Sequence, residues 1–344
     1  MSSVLKVIEN RDLDLETTDY YAAILGESPS KGAKSPSLWN EAFHGLGLSG
    51  VMHPMDVAPE KLGEVVRRLR NDRRFIGGAV TMPYKISIIP HLDGLEPEAE
   101  RIGAVNCIYR DGEKIIGSNT DGAGAIWSLT EEMNDLSGKS ALLLGTGGAG
   151  YAVAAYTASA IGPKGRLKLA NRSRQTRDEL VRRLEGKCGI GPVDWPLSLE
   201  DVADVDILIN CTNIGFETFR EDGGGVFTLK FYTPLGPVDD AIRVNRTGNE
   251  EKQFLKRAHG EIISNIGRSI EILAAMNAPF VFDIIYQPLR TMLLSLAGIV
   301  GYKTLNGAPM NLEQAVIAFR KATSAAGLRD AGNSEIRDLM VKVW

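Results

Sequence analysis

Three glycines, Gly145, Gly147 and Gly150, fall at the spacing G-x-G-x-x-G directly after the apolar run Ser140-Ala-Leu-Leu-Leu144. In such a turn the first glycine permits the tight bend and the second lets backbone approach a pyrophosphate, while the third lets the next helix pack on the strand. The N–H groups that open the helix then face the phosphates. Lys85 falls in the first turn of a helix that starts after Met82-Pro83, where a cation opposes the helix dipole and needs a reason to be there. A solvated surface lysine fits the same pattern. Asp121 ends one strand pattern and opens a helix, which capping alone would explain. Ser35 precedes Pro36 at another helix start. That suits a cap and a first-turn proline, and it also sets a hydroxyl where a carboxylate would be favoured.

The context of the glycine turn decides how it is read. No charged residue stands between Lys139 and Lys164, and about 20 apolar residues would span a bilayer. Four glycines between Gly145 and Gly150 would badly weaken a spanning helix. A second strand pattern, Arg166-Leu-Lys-Leu-Ala-Asn171, follows, then an amphipathic helix through Leu180, Val181 and Leu184, then Val205 to Asn210. Strand, glycine turn, helix and strand in that order predict a dinucleotide-binding βαβ unit. An acid about 20 positions after the turn would bind a ribose 2′-hydroxyl, whereas an arginine accepts a 2′-phosphate. This chain has Asn171-Arg172-Ser173-Arg174 and no acid until Asp178. NADP is therefore the expected cofactor, with Arg172 and Arg174 flanking the phosphate and Asn171 and Ser173 adding hydrogen bonds.

At 344 residues the chain is long enough for about two domains. Its 39 basic and 43 acidic residues are mixed throughout, which leaves no electrostatic footprint for nucleic acid. Cys107, Cys188 and Cys211 lie far apart, so neither a zinc site nor a disulfide framework is expected. The first 19 residues carry charges of both signs and no long apolar core. No signal peptide and no membrane partner are expected, and the cytoplasm is the expected compartment.

The N-terminal third alternates strand and helix patterns. Residues 1 to 20 read as a polar lead-in on the outside. Strands are expected at Tyr21 to Gly26, Val51 to Val57 and Ile76 to Thr81, with helices from Ser35 to near Gly45 and from Pro59 to Arg70. A hairpin of Asn106 to Tyr109 with Lys114 to Ser118 turns at Asp111-Gly112. This alternation predicts a parallel sheet separate from the nucleotide unit. Farther on, a strand is expected from Phe280 to Pro288, helices at Arg290 to Val300 and Asn311 to Ala322, and a helical tail after Gly327. Asn249 to Ala258 reads as a charged helix with Phe254 and Leu255 as its apolar contacts, and Gly223-Gly-Gly225 as a loop.

Taken together, Lys34-Ser-Pro36, Val80-Thr-Met-Pro-Tyr-Lys85, Gly103-Ala-Val-Asn106, Asn119-Thr-Asp-Gly122, the glycine turn, Asn171-Arg-Ser173, Asp283-Ile-Ile-Tyr286 and Asn306 to Gln314 resemble the shikimate dehydrogenase family. Eight short motifs in one order across residues 20 to 325 make the resemblance specific. It implies an α/β fold of two domains, a substrate-binding α/β domain and a Rossmann-type domain, with a C-terminal helix returning to the first. The expected boundaries are 1–125 completed by 303–344, and 126–302 with an inserted segment at about 217–262. It also implies NADP-dependent hydride transfer on a ring hydroxyl of a cyclohexene or cyclohexane carboxylate. The expected reaction interconverts shikimate and 3-dehydroshikimate, with quinate or an aminoshikimate-like acid as the alternative.

Carried over by position, Lys85 and Asp121 match the catalytic pair. Ser35, Thr81, Asn106 and Gln314 match positions that hold the substrate's carboxylate and hydroxyls, and Tyr286 matches a tyrosine of the substrate cleft. The expected cofactor set is Gly145, Gly147, Gly148, Ala149, Gly150, Asn171, Arg172, Ser173, Arg174, Thr212 and Gly307. The protein is expected to be a monomer or homodimer. Two positions depart from the family pattern: Ala33 stands where a serine is usual, and Ala79 where an asparagine is common. Both bear on the substrate, and Ser28, Ser30 or Lys34 could replace the missing hydroxyl at Ala33.

Overall fold

The computed structural model describes residues 3–216, 229–238 and 250–344. The chain divides into two compact units, Met1–Trp127 with Met310–Trp344, and Ser128–Pro309.

In the first unit the order is β1 (Tyr20–Gly26), α1 (Ser35–Gly45), β2 (Gly50–Asp56), α2 (Leu62–Asn71), β3 (Phe75–Val80), α3 (Tyr84–Ser87), β4 (Gly94–Leu95), α4 (Pro97–Ile102), β5 (Cys107–Asp111), β6 (Lys114–Ser118) and α5 (Asp121–Met133). The sheet order is β2-β1-β3-β5-β6-β4. β1 pairs in parallel with β2 and β3, but β5 runs antiparallel to both β3 and β6. The sheet is therefore mixed rather than parallel, because a short turn at Gly112 (φ +60°) reverses the chain and β5 enters the sheet beside β3. β1 and β3 are buried along nearly their whole length, as expected for strands covered on both faces. Gly78 explains how β3 fits so closely. Its φ is +154°, and a Cβ there would lie 1.8 Å from the Ala23 carbonyl oxygen.

The opening residues are not an external lead-in. Val4, Leu5, Val7, Ile8 and Leu15 are buried in the same core as Val65, Val66 and Leu69 of α2. Val4, Val7 and Ile8 keep the i, i+3, i+4 spacing of a helix, but over a run too short to stand out as an element, so pattern reading misses them. The amide of Asn10 fixes the segment by donating to Pro54 O at 2.7 Å and accepting from Asp56 N at 2.8 Å.

The second unit runs β7 (Ser140–Leu144), α6 (Gly148–Ile161), β8 (Arg166–Ala170), α7 (Arg174–Leu184), β9 (Gly189–Val193), β10 (Ile207–Asn210), α8 (Glu250–Ala275), β11 (Phe280–Asp283), α9 (Met292–Val300) and β12 (Thr304–Leu305). Its strands are ordered β12-β11-β10-β7-β8-β9, every pair parallel. Read from β9 this is the doubly wound order in which ligands bind outside the strands' carboxyl ends, where the order reverses. That reversal lies between β7 and β10.

Three elements differ from expectation. β9, sequence Gly-Ile-Gly-Pro-Val, is a strand despite two glycines and Pro192 because it is an edge strand, where a missing N–H is tolerated. α8 continues to Ala275, well past Ala258. Ala258, Ile262, Asn265, Ser269, Ile272 and Met276 form a buried stripe at alternating steps of four and three, and this burial overrides the low propensity of Gly260 and Gly267. Leu255 on this helix is exposed. β11 ends at Asp283, leaving Tyr286 and Pro288 beyond the strand. Gly223 to Gly225 and the side chain of Phe254 lie outside the described residues. Among the described residues no helix is long and apolar enough to cross a membrane.

Two last helices, α10 (Ala308–Ala325) and α11 (Asn333–Met340), bring the chain end into the first unit. Phe319 of α10 packs edge-on to Trp39 with ring centroids 5.2 Å apart, and lies 4.9 Å from Phe43. Each such side chain contributes about 1.5–3 kcal/mol by burial, so α10 covers one face of the sheet and is held there. At Gly124 a Cβ would come within 2.7 Å of Met310 O, which shows how closely α5 and α10 approach.

Candidate functional site

In the first unit the candidate residues collect where β3, β5 and β6 hand over to α3 and α5. Thr81 N donates to Leu25 O at 2.9 Å, and Tyr84 N donates back to Thr81 O at 2.9 Å, so the chain turns at once into α3. Tyr84 is buried and its hydroxyl donates to Val57 O, which anchors the turn. α3 has only four residues, too few for a substantial dipole. Lys85 answers to a side chain instead: its Nζ lies 2.5 Å from Asp121 Oδ2, with side-chain exposures of 18% and 8%. Burying two charges is costly, and the contact between them offsets that cost only if the remaining lone pairs are also satisfied.

Asn106 satisfies them. Its Nδ2 is 2.8 Å from Asp121 Oδ1, 3.0 Å from Thr120 Oγ1 and 3.1 Å from Gln314 Oε1. The group has two hydrogens for three acceptors, so acceptor capacity is left over for a ligand hydroxyl. Asn106 Oδ1 accepts from Thr120 N at 2.7 Å, and Thr120 Oγ1 donates to Gln314 O at 3.0 Å. Asn119 donates to Ala104 O and accepts from Asp121 N. The segment Asn119-Thr-Asp121 is thus fixed from both sides, and α10 belongs to the site through Gln314.

Ser35 is the first residue of α1 and is 7% exposed, while Lys34 holds the N-cap position with no side-chain cap bond. Capping therefore does not account for Ser35. Ala33 packs partly against the core beside α1. Ser30 is not available to stand in for a hydroxyl at Ala33, because its N and Oγ both bond Asp56, at 2.9 and 2.5 Å. Ser28 and Lys34 are exposed.

In the second unit Gly145 and Gly147 line a pocket with Asn171, Arg172, Trp195, Thr212 and Ile214. Gly145 has φ +94°, and a Cβ on it would press on Thr212 Cγ2 at 2.8 Å. A Cβ on Gly150 would lie 2.0 Å from Gly145 O, whereas one on Gly147 would meet nothing within 4 Å. The first and third glycines thus serve backbone packing, and the space beside the second is open for a ligand. The first helical hydrogen bond of α6 runs from Tyr151 N to Gly147 O at 2.8 Å. The N–H groups of Gly148, Ala149 and Gly150 therefore precede the helical ladder.

The arginine stretch divides in two. Asn171 lines the pocket and accepts from Thr146 N at 3.3 Å, and exposed Arg172 lines it too. Ser173 caps α7 by accepting from Thr176 N, and Arg174 pairs with Asp194 at 2.9 Å. Gly307 does not line this pocket. A Cβ there would lie 1.8 Å from Ile284 O, so close backbone packing accounts for that glycine. Tyr286 is partly exposed just after β11. Trp195, Asn213 and Ile214 line the pocket without having been expected. Nothing in their spacing marks them, although the last two adjoin Thr212.

The fold and the pocket define an α/β protein with a dinucleotide-binding unit. Residues 25–108 match the family model described as the shikimate dehydrogenase substrate binding domain. The chain is 32% identical over 303 residues to a protein named shikimate dehydrogenase (NADP(+)) from Carboxydothermus hydrogenoformans, covering 87% of this chain and 90% of that one. A protein of the same name from Geobacter metallireducens is 39% identical over 220 residues, or 62% of this chain and 75% of the relative. The crystal structure of shikimate 5-dehydrogenase from Thermus thermophilus in complex with NADP(H) and shikimate matches with TM-score 0.67 and 26% identity, over 94% of this chain and all of that one (100%). The chain belongs to the shikimate dehydrogenase family.

Proposed function

We propose that this protein is an NADP-dependent dehydrogenase that interconverts shikimate and 3-dehydroshikimate by hydride transfer. The observation that carries the reading is the direct contact of partly buried Lys85 with buried Asp121, fixed by Asn106 and Gln314. Relatives across most of the chain bear the matching name. We assign substrate binding to the first unit, Met1–Trp127 with Met310–Trp344, and nucleotide binding to Ser128–Pro309; the second boundary falls at 310 rather than the expected 303 because β12 pairs with β11. The inserted segment at about 217–262 supplies Leu229 and Val238 to the lining of the nucleotide pocket and takes no part in the proton step.

Lys85 and Asp121 hold the hydroxyl being oxidised and as a pair carry the step in which it loses its one proton. Asn106 and Gln314 orient neighbouring hydroxyls, and Ser35 and Thr81 hold the carboxylate side of the ring, with Tyr286 as a further substrate contact. The residues fit a dinucleotide: the open side of Gly147 and the N–H groups of Gly148 to Gly150 suit a pyrophosphate, and Arg172 with Asn171 suits a 2′-phosphate. NADP, when bound, supplies the hydride acceptor. We place the protein in the cytoplasm as a monomer or homodimer.

A second reading, quinate or an amino analogue as substrate, is favoured by one feature. Ala33 supplies no hydroxyl, and Ser30 is committed to Asp56. Purified protein assayed with NADP and NAD against shikimate, quinate and 5-aminoshikimate tests both readings. The highest kcat/KM for shikimate with NADP supports the first; a higher value for another ring acid replaces it with the second.

A further inference from the structure

Asp283 closes β11 with its side chain completely buried, and among the described residues it touches no cation. Its Oδ1 accepts from Asn210 Nδ2 at 3.0 Å and from Ile285 N at 3.1 Å, while its Oδ2 accepts from Thr291 Oγ1 at 2.7 Å. Asn210 ends the neighbouring β10 and is also fully buried. Its amide has two ends that must face different partners. Oδ1 accepts from Thr212 N at 2.9 Å and from Thr212 Oγ1 at 2.7 Å, and Nδ2 donates to Asp283 and to Ile214 O at 3.2 Å. Thr212 Oγ1 in turn accepts from Ile214 N at 3.0 Å. Thr212 and Ile214 line the dinucleotide pocket, and Thr212 lies against Gly145 of the glycine turn.

We propose that Asp283 is a positioning residue of the nucleotide site, tying to β11 the Asn210 amide that holds the loop 212–214 against the glycine turn. An amide can rotate by half a turn and exchange its oxygen and nitrogen. Thr212 N, which can only donate, and Ile214 O, which can only accept, set this orientation from the loop side, and the Asp283 acceptor ties the same amide to β11. With the tie gone, buried donors at Asn210 and Ile285 are left unsatisfied and the loop loses its fixed place. The tie requires an acceptor and not a charge, so an asparagine at 283 can supply it, with its Nδ2 turned to Thr291 Oγ1. The inference rests on the proposed binding of NADP in this pocket.

The test compares Asp283→Leu, which has similar bulk and no acceptor, with Asp283→Asn. NADP and NAD affinities are measured by titration, and KM for shikimate and kcat by steady-state assay. Asp283→Leu is expected to weaken both nucleotides about 10-fold or more, to leave their ratio unchanged and to move KM for shikimate less than about 2-fold. Asp283→Asn is expected to stay within about 2-fold of the unaltered protein. If Asp283→Leu does not fold, Asn210→Ala replaces it, with the same loss of nucleotide affinity expected while Asp283 stays in place. A folded Asp283→Leu or Asn210→Ala protein with unaltered affinity overturns the proposal, as does an Asp283→Asn protein as weak as Asp283→Leu. If the unaltered protein itself binds neither nucleotide, the cofactor reading has failed, and that result is separate from these.

Discussion

Lys85 and Asp121, 36 positions apart in the chain, meet at 2.5 Å, and Asn106 holds the other oxygen of that carboxylate at 2.8 Å. The pair is set by side chains drawn from three separate segments, with Gln314 of α10 completing the arrangement.

Asn106 should therefore matter to both fold and turnover. Asn106→Ala strands Thr120 N and one oxygen of Asp121, and each buried unsatisfied group costs about 1–3 kcal/mol. We expect kcat/KM for shikimate to fall about 10-fold or more, with a loss of about 2 kcal/mol or more in stability by denaturant unfolding. Unchanged values of both would show that the site does not depend on this amide.

Arg172 and Arg174 separate the two uses of the arginine stretch. A charge-assisted contact is worth about 1.5–3 kcal/mol, so Arg172→Ala should lower kcat/KM for NADP about 10-fold or more and leave NAD nearly unaffected. Among the described residues Arg174 makes only an exposed pair with Asp194, and such pairs contribute little. Arg174→Ala should change the NADP preference less than about 3-fold, and a larger effect there than at Arg172 would reverse the assignment.

Burial pushes the carboxyl of Asp283 up to about 7, against the hydrogen bonds from Thr291, Ile285 N and Asn210, which lower it. A folded value above the unfolded one means the folded chain binds more protons between about pH 4 and 7. The stability this gives is complete below the unfolded value and is lost as pH rises through about 7. Asp283→Asn should flatten this slope and gain thermal stability relative to the unaltered protein above neutral pH. Parallel melting curves across that range would contradict the shift.

The parts visible in the sequence are those carried by local pattern. β7, the glycine turn and α6 announce themselves because a buried parallel strand is an unbroken apolar run and the turn needs glycine at Gly145 and Gly150. β9 is hidden because Gly189, Gly191 and Pro192 break any strand pattern, and only its edge position admits them. α8 reads short for a related reason, since tertiary burial and not propensity carries it past Gly260. In the site, Lys85 and Asp121 are each visible as residues with a second explanation, and the resemblance alone pairs them. The contact that decides between those explanations joins distant segments, as does the one between Asn210 and Asp283. No spacing rule reaches across such distances.

Ala33 tests the carboxylate side of the substrate site. A hydroxyl-to-carboxylate bond is worth about 1.5–3 kcal/mol, and Ser30 cannot supply it while held by Asp56. Ala33→Ser should lower KM for shikimate several-fold, at unchanged affinity for NADP. An unchanged or higher KM would assign the pocket to a differently substituted ring acid.

The central claim is that the partly buried Lys85–Asp121 pair moves the proton in an NADP-linked oxidation of shikimate, and steady-state turnover of Lys85→Ala measures it most directly. Loss of acid–base help typically costs about 10²–10⁴-fold, so kcat should fall about 100-fold or more while NADP affinity stays within about 3-fold. Near-native turnover of shikimate by the Lys85→Ala protein would contradict the account.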